Sequence, residues 1–263
     1  MDFDTVIHSG RIATAEDVFT GDIGIKDGRI AALGEKLSSG AERIDAGGRI
    51  VVPGGIEAHA HIAQESSAGV MSADDYYSGS VSAAFGGNSA FIPFAAQHRG
   101  QSIDEVLDTY DARGQRSVLD YSYHLIISDP SEQVLAEGLP QAFARGITSF
   151  KVFMTYDLMN IGDEGMLDIL EVARAHGAIT MVHAENNAMV KWMNRKLADR
   201  GLTAPRYHAL SRPELAEAEA IHRAIQLAKL ADAPIFIVHV STEAGADIVR
   251  SEKFAGAKVF SET

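Results

Sequence analysis

The sequence predicts a parallel α/β fold that follows a small N-terminal β-sheet. From Pro53 onward, short apolar runs alternate with amphipathic helical patterns, as is typical of strands that pair in parallel. Before Pro53 the runs are shorter and are separated by turn signals, among them the hairpin dipeptide Asp27-Gly28. We therefore expect a small antiparallel sheet over residues 1–52 and an α/β part over residues 53–263.

The apolar runs after Pro53 have the length and composition of strands that are covered on both faces. We interpret as strands the residues 55–62, 88–95, 118–127, 147–155, 178–184, 234–240 and 257–261. A doubly wound sheet remains possible on this pattern, although no glycine-rich phosphate loop follows a strand.

The clearest helix is predicted from about Pro213 to Leu230. Ser211 and Glu214 have the spacing of a capping box at its start. The apolar residues at helical spacing then form one stripe, which consists of Leu215, Ala218, Ile221, Ile225 and Ala228. Asp74 and Asp75 are expected to cap an earlier helix.

Composition excludes several classes of partner and site. The 263-residue chain carries a formal net charge of −13, which argues against nucleic acid and anionic membrane surfaces as partners. The acidic start MDFDTVIHSG does not resemble a signal peptide, and no apolar run is long enough to span a membrane, so we expect a cytoplasmic protein. Without cysteine, any metal must use nitrogen and oxygen ligands.

Histidines and one lysine mark the predicted strands. In the stretch GGIEAHAHI, His59 and His61 point to the same side of a strand. Lys151 lies within the apolar segment SFKVFMTY, where a buried ammonium is costly. His183 and His239 end the apolar runs AITMVHAEN and PIFIVHVST. Since reactive groups of parallel barrels collect at the carboxyl ends of strands, these residues indicate a divalent metal centre, with zinc favoured.

The remaining histidines are better explained by structure than by chemistry. His124 lies inside the predicted strand 118–127, where it could face the interior of a barrel. A buried histidine in such a position is more often a hydrogen-bonded structural residue than a ligand. We therefore do not expect His124 to bind metal.

The quoted motifs resemble those of the cyclic amidohydrolases, in particular the D-hydantoinase and dihydropyrimidinase family. The similarity includes PGGIEAHAHI, FKVFMTY, VHAEN and IFIVHVST and extends over essentially all 263 residues. It implies a (β/α)₈ barrel that carries a β-sandwich. Residues 1–52 would be part of the sandwich, and residues 53–263 would be the hydrolase barrel, incomplete at its C-terminal end.

The resemblance also implies a centre of two divalent metal ions, which we expect to be zinc. His59 and His61 would hold the more buried ion, and His183 and His239 the more exposed one. Lys151 would be carbamylated and would bridge both, because addition of carbon dioxide turns a buried ammonium into an anionic ligand with two oxygens. A hydroxide that bridges the ions would be the nucleophile.

Two further residues receive substrate roles from the resemblance. Tyr156 matches the tyrosine that donates to the substrate carbonyl as it becomes an oxyanion. Phe153 is expected to contribute to the wall that selects the exocyclic group. Glu57 and Ala60 depart from the usual aspartate and threonine beside the ligands, although neither is itself expected to bind metal.

The end of the sequence matters for activity. The family continues with a strand whose aspartate is both a metal ligand and the general base, and the 263 residues do not reach it. The resemblance therefore implies the front portion of a longer protein. We expect these residues alone to hydrolyse hydantoins poorly or not at all.

The implied reaction opens a hydantoin or dihydropyrimidine ring to an N-carbamoyl amino acid. The partner would be a small cyclic amide, and the full-length protein would form a homo-oligomer. Allantoinase or dihydroorotase activity is the enzymatic alternative. A non-catalytic assembly protein of the same fold is the alternative from another class, and retention of the five predicted ligands argues against it.

Overall fold

The structure, a computed structural model, describes residues 2–38, 40–66 and 69–263. The chain folds as two compact units, Met1–Gly55 and Ile56–Thr263. No helix in the described ranges is both long and apolar enough to cross a membrane.

The first unit is a five-stranded sheet in the order β3-β2-β1-β4, with β5 also on β1. Its strands are β1 (Phe3–Ala13), β2 (Val18–Lys26), β3 (Arg29–Gly34), β4 (Gly40–Asp45) and β5 (Ile50–Val51). The predicted antiparallel pairing holds for β1 to β3 and is wrong for β4 and β5, which pair with β1 in parallel. The reason is topological, because the chain passes from β3 to the opposite edge of β1.

The predicted hairpin turn joins β2 and β3. Asp27 and Gly28 have φ angles of 50° and 70°, as a two-residue turn between twisted antiparallel strands requires. The Asp4 carboxylate holds the turn, since it accepts hydrogen bonds from the Lys26 amine and the Asp27 backbone N–H, both at 2.7 Å.

The second unit is built on a curled sheet whose strands follow sequence order, β6-β7-β9-β10-β11-β12-β13. The strands are β6 (Gly55–Ala60), β7 (Asn88–Ala96), β8 (Asp120–Tyr121), β9 (His124–Ile126), β10 (Ser149–Phe153), β11 (Ile179–His183), β12 (Ile235–Ile237) and β13 (Val259–Ser261). The pairs from β7 to β13 are parallel. A doubly wound sheet would reverse its order at a switch point, so this order confirms the barrel type of α/β fold.

One predicted strand is divided in two. Residues 118–127 form β8 and β9, which pair with the beginning and the end of β7 respectively. At this register Pro93 of β7 lies opposite the gap, and proline has no N–H to donate to a ladder. The short interruption follows from that missing donor.

The helices lie between the strands. They are α1 (Tyr76–Phe85), α2 (Ile103–Gly114), α3 (Leu139–Ala144), α4 (Gly162–Ala175), α5 (Asn187–Asp199), α6 (Glu214–Leu230) and α7 (Glu243–Phe254). Asp75 caps α1 as predicted, because its carboxylate accepts from the Ser78 N–H in a capping box. The capping box predicted for α6 is wrong. Pro213 occupies the cap position, and the Ser211 hydroxyl instead donates to the His208 carbonyl.

Helix α6 packs an alanine-rich face into the core. Ala218, Ile221, Ile225 and Ala228 of the predicted stripe are buried, whereas Leu215 is 65% exposed. Leu215 lies in the first turn with its side chain in solvent, whereas the next residue, Ala216, is buried, so helical spacing alone assigned Leu215 wrongly. Ala216, Ala220 and Ala224 are buried instead.

Shortening a side chain on the buried face of α6 should lower the free energy of unfolding far more than shortening an exposed side chain in the first turn. We expect Ile221→Ala to lower the free energy of unfolding by about 2–5 kcal/mol, because the side chain is fully buried and a cavity would remain. Leu215→Ala is the matched control and should change it by no more than about 0.5 kcal/mol. Chemical denaturation measures both, and similar losses for the two variants would contradict the assigned packing.

Candidate active site

The predicted site residues lie at or just beyond the carboxyl ends of strands, except Lys151, which lies in the middle of its strand. His59 is on β6, Lys151 and Phe153 are on β10, and His183 ends β11. His61, Tyr156 and His239 follow β6, β10 and β12 within three residues. Because parallel strands end at the same edge of the sheet, this placement brings residues that are distant in sequence to one location.

The four predicted histidines form one continuous cluster. The ring centre of His59 is 5.6 Å from that of His61 and 5.7 Å from that of His239. The rings of His239 and His183 are 4.5 Å apart. The structure therefore brings the predicted ligands together, and their role in binding metal stays a prediction.

Lys151 is buried beneath this cluster. Its side chain is 1% exposed, and its amine lies 5.1 Å from the ring centre of Phe94 and 5.4 Å from that of Phe153. Burial lowers the pKa of Lys151 to about 7, with Glu262 opposing the shift. A large share of these amines is therefore unprotonated and nucleophilic near neutral pH.

In three of the histidines, one ring nitrogen lies at hydrogen-bond distance from a side-chain oxygen. His61 Nδ1 lies 2.6 Å from Gln64 Oε1, and His59 Nδ1 contacts the carboxylate of Glu262. His183 Nε2 lies 2.6 Å from Glu185 Oε2. A neutral imidazole that donates from one nitrogen has its lone pair on the other, so each ring has one nitrogen free to bind a cation.

Burial favours the neutral form of His61, His183 and His239. It lowers the pKa of His61 and of His183. The pKa of His239 falls to about 4, because burial is joined by repulsion from His183. Neutral imidazole is the form that binds metal ions.

The histidines alone do not complete a metal site. Within the described ranges, no group of three or more His, Asp or Glu side chains has the geometry to hold one ion. Lys151 lies close enough to the cluster for its charge to contribute to the lowered pKa of His61, His183 and His239. These residues therefore fit a centre for two ions only if Lys151 also binds both ions.

Glu185 and Arg212 form a partly buried ion pair next to His183. Burial alone would raise the pKa of Glu185, but hydrogen bonds from His183 and Arg212 outweigh it and lower the pKa to about 2. The Arg212 guanidinium also lies 5.3 Å from the ring centre of Tyr156. Burial raises the pKa of Tyr156, with Arg212 opposing, so its hydroxyl keeps the proton at neutral pH and can donate it in a hydrogen bond.

Two site residues have strained backbones. Tyr156 and His239 have φ angles of 66° and 40°, in a region that residues with a Cβ rarely adopt. The Tyr156 carbonyl accepts hydrogen bonds from the backbone N–H groups of Met159 and Asn160, at 2.8 and 2.7 Å. Strain of this kind persists where the surroundings fix it and is frequent at functional sites.

Two cavities meet at Tyr156. One of about 480 Å³ extends from His61 past Phe153, Leu158 and Met159. The other, of about 360 Å³, lies against His183, His239 and Arg212. Tyr156 lines both and is 40% exposed, so this residue is accessible to a small molecule in either cavity.

Other candidate residues have structural partners. His124 is buried, with Nδ1 2.5 Å from Ser149 Oγ and Nε2 2.9 Å from the Ala58 carbonyl, as expected of a structural histidine. Asp157 is exposed and accepts from Lys191. Glu57 is exposed as well, and its carboxylate accepts from the His59 backbone N–H.

Sequence reasoning missed several residues of the site. These are Gln64, Phe94, Arg212 and Glu262. Gln64 lies three residues after His61, so local spacing was an available signal. Nothing local to Phe94 or Glu262 indicates that either side chain reaches His59, because those contacts exist only in the folded sheet.

The chain belongs to the amidohydrolase family. The model of that family matches residues 50–233. The D-hydantoinase of Ralstonia pickettii is 43% identical over 99% of this chain and 57% of its own length. The dihydropyrimidinase of Rattus norvegicus is 35% identical over 98% of this chain and 51% of its own length. The chain thus spans about half the length of the curated relatives it matches.

Solved structures confirm the fold. A D-hydantoinase structure superposes with a TM-score of 0.95 at 43% identity, covering 100% of this chain and 57% of that one. The resemblance drawn from the motifs, and the expected barrel preceded by a β-sheet unit, are confirmed by these similarities.

Replacement of Lys151 by methionine should remove a pH dependence of stability in metal-free protein. The folded pKa is about 7 and the ordinary lysine value is 10.5. Between these values the unfolded chain binds one more proton than the folded chain, so wild-type stability should rise with pH by up to about 1.4 kcal/mol per unit. Below about pH 7 both states are protonated and this contribution is constant.

Chemical denaturation in carbonate-free buffer at pH 7 and pH 9 measures the rise. Lys191→Met is the matched control, because Lys191 is an exposed lysine that pairs with Asp157. It should keep the wild-type rise, whereas Lys151→Met should lack it. Equal slopes for Lys151→Met and wild type would mean that the buried amine does not titrate in this range.

Proposed function

We propose that the protein hydrolyses cyclic amides and opens a hydantoin or dihydropyrimidine ring to an N-carbamoyl amino acid. The observation that carries this proposal is the cluster of four histidines over a buried lysine, beside a tyrosine that lines a cavity. The 43% identity to a D-hydantoinase supports the same reaction class. Dihydropyrimidinase at 35% identity supports the same ring chemistry.

Two divalent cations, most simply zinc, are part of the proposal. His59 and His61 would hold one ion, and His183 and His239 the other. Lys151 would bridge them as a carbamate, formed when its neutral amine adds carbon dioxide and releases a proton. The low pKa of Lys151 supports this step, because an unprotonated amine is needed at neutral pH.

When bound, the two ions would supply an activated water and polarise a carbonyl. The chain's own residues supply the rest of the proposed chemistry. The Tyr156 hydroxyl donates a hydrogen bond to the ring carbonyl oxygen as negative charge develops on it. Phe153, Leu158 and Met159 form an apolar wall for the exocyclic group of the substrate.

The alternatives remain distinguishable. Allantoinase or dihydroorotase would use the same metal chemistry on a different ring, so only substrate preference separates them from the proposal. A non-catalytic assembly protein would have no use for neutral histidines around a buried amine. Their presence together in one cluster supports the enzymatic reading.

The proposed partner is a small molecule. The net charge of −13 supports this over nucleic acid or an anionic membrane. Self-association of the full-length protein and a cytoplasmic location are further parts of the proposal.

Full-length protein reconstituted with zinc should open hydantoin or 5,6-dihydrouracil at a rate proportional to protein concentration, whereas residues 1–263 alone should do so poorly or not at all. His59→Ala should abolish the reaction, because one ion would lose a ligand, and His222→Ala is a control, because His222 is an exposed histidine outside the proposed ligand set. Formation of the N-carbamoyl product is measured by chromatography. Slow turnover supports the proposal when the His59→Ala variant shows none under the same conditions. Faster turnover of allantoin or dihydroorotate would replace the proposed substrate, and zinc binding without turnover of any of the four rings would favour the assembly protein.

Lys151→Ala should abolish binding of two ions, while Lys151→Glu should retain part of it. A glutamate offers two carboxylate oxygens, although its side chain is shorter than a carbamylated lysine. Elemental analysis after dialysis measures the metal-to-protein ratio. The same ratio in wild type and Lys151→Ala would exclude a bridging role for Lys151.

A further inference from the structure

Two charged side chains behind the histidine cluster have no part in the chemistry proposed above. Glu185 follows His183 by two residues, and Arg212 lies just before α6. Their side chains are only 15% and 20% exposed. The loss of water by two partly buried charges offsets much of their attraction, so an ion pair of this kind is weak evidence for a role in stability alone.

One oxygen of Glu185 makes two contacts. Glu185 Oε2 accepts from His183 Nε2 at 2.6 Å and also from the guanidinium of Arg212. The nitrogen that donates carries the proton, so the lone pair of His183 is on Nδ1. Metal-binding histidines commonly direct their second N–H to a carboxylate, which fixes both tautomer and ring orientation.

Arg212 connects this carboxylate to the tyrosine. Its Nε donates to His208 Nε2 at 3.1 Å, and this hydrogen bond helps to fix the position of the guanidinium. The guanidinium lies over the Tyr156 ring with 5.3 Å to the ring centre. One cation therefore contacts both the partner of His183 and the proposed oxyanion donor.

We propose that Glu185 and Arg212 are positioning residues of this site. Glu185 presents Nδ1 of His183 to a divalent cation, and Arg212 fixes Glu185 and Tyr156 in a single arrangement. The part of the inference that concerns Tyr156 rests on the proposed function. The part that concerns His183 needs only a cation and no substrate.

Arg145 provides a matched comparison for a purely structural ion pair. It follows α3 and pairs with Asp108 and Asp111 of α2. It precedes β10, so it lies at the end of the sheet opposite to the histidines. Loss of Arg145 removes ion pairs without touching the site.

The first test uses Glu185→Met, which keeps the side-chain volume and removes the acceptor. In metal-free protein, ¹⁵N NMR of the His183 ring, assigned with His183→Asn, reports the tautomer. We expect the Nε2–H form in wild type and a mixture in Glu185→Met. Zinc affinity, measured by competition with a chelator, should fall about 10–100-fold. Arg145→Met should bind zinc as wild type does, even where its melting temperature is lower.

A second variant guards against misfolding. Glu185→Gln has nearly the same shape and should weaken zinc binding by a smaller factor in the same direction. An unchanged tautomer together with zinc affinity within twofold of wild type, in whichever of the two variants folds, would overturn the role of Glu185.

The second test concerns Arg212. Arg212→Met should lower kcat for ring opening several-fold and leave KM nearly unchanged, because Tyr156 acts on the developing oxyanion. In the Tyr156→Phe variant, Arg212→Met should lower kcat by a much smaller factor than it does in wild type. Full additivity of the two losses would overturn the link to Tyr156.

The outcomes separate this inference from the proposed function. In the full-length protein, weakened zinc binding in Glu185→Met without turnover of any cyclic amide by wild type supports the positioning of His183 and contradicts the proposed reaction. Zinc-dependent ring opening with unaltered tautomer and zinc affinity in Glu185→Met supports the proposed reaction and overturns the role of Glu185.

Discussion

Burial of the Lys151 amine is the constraint on which the site depends. Lys151 lies in the middle of β10, paired with Ile126 of β9 and Met181 of β11, and its side chain is 1% exposed. An ammonium in such surroundings loses several kcal/mol of hydration, by order of magnitude. Its pKa of about 7 expresses that cost. The amine is thereby chemically unlike a surface lysine, and the apolar strands that create this difference also carry the histidines.

Strain at the strand ends is a second cost that the barrel must offset. The positive φ angles of Tyr156 and His239 cost about 1–3 kcal/mol each. The Ser241 hydroxyl donates to the His239 carbonyl at 2.9 Å, and Glu217 accepts from the Ser241 N–H, so the turn after β12 is held on both sides. The buried faces of the helices provide the stability that sustains these conformations.

The sequence predicted what depends on local patterns and missed what depends on long-range packing. The alternation of strands and helices, the Asp27-Gly28 turn and the Asp75 cap all follow from neighbouring residues. The Ser211 capping box failed because Pro213 ends the turn that contains Ser211 before the helix begins. The five proposed ligands could be predicted from the sequence because each of these residues ends or interrupts an apolar run. Arg212 has no such signal, since its contacts with Tyr156 and Glu185 are long-range and form only when the segments after β10 and β11 come together.

The partners of the histidines differ in how far the chain must fold to supply them. Gln64 and Glu185 are three and two residues from their histidines, so these contacts need only local structure. Glu262 is 203 residues from His59 and meets it only because the sheet curls from β6 round to the end of β13. Closing so long a loop has an entropic cost that local contacts avoid. The orientation of His59 is therefore tied to completion of the sheet, whereas the orientations of His61 and His183 are set by their own strand ends.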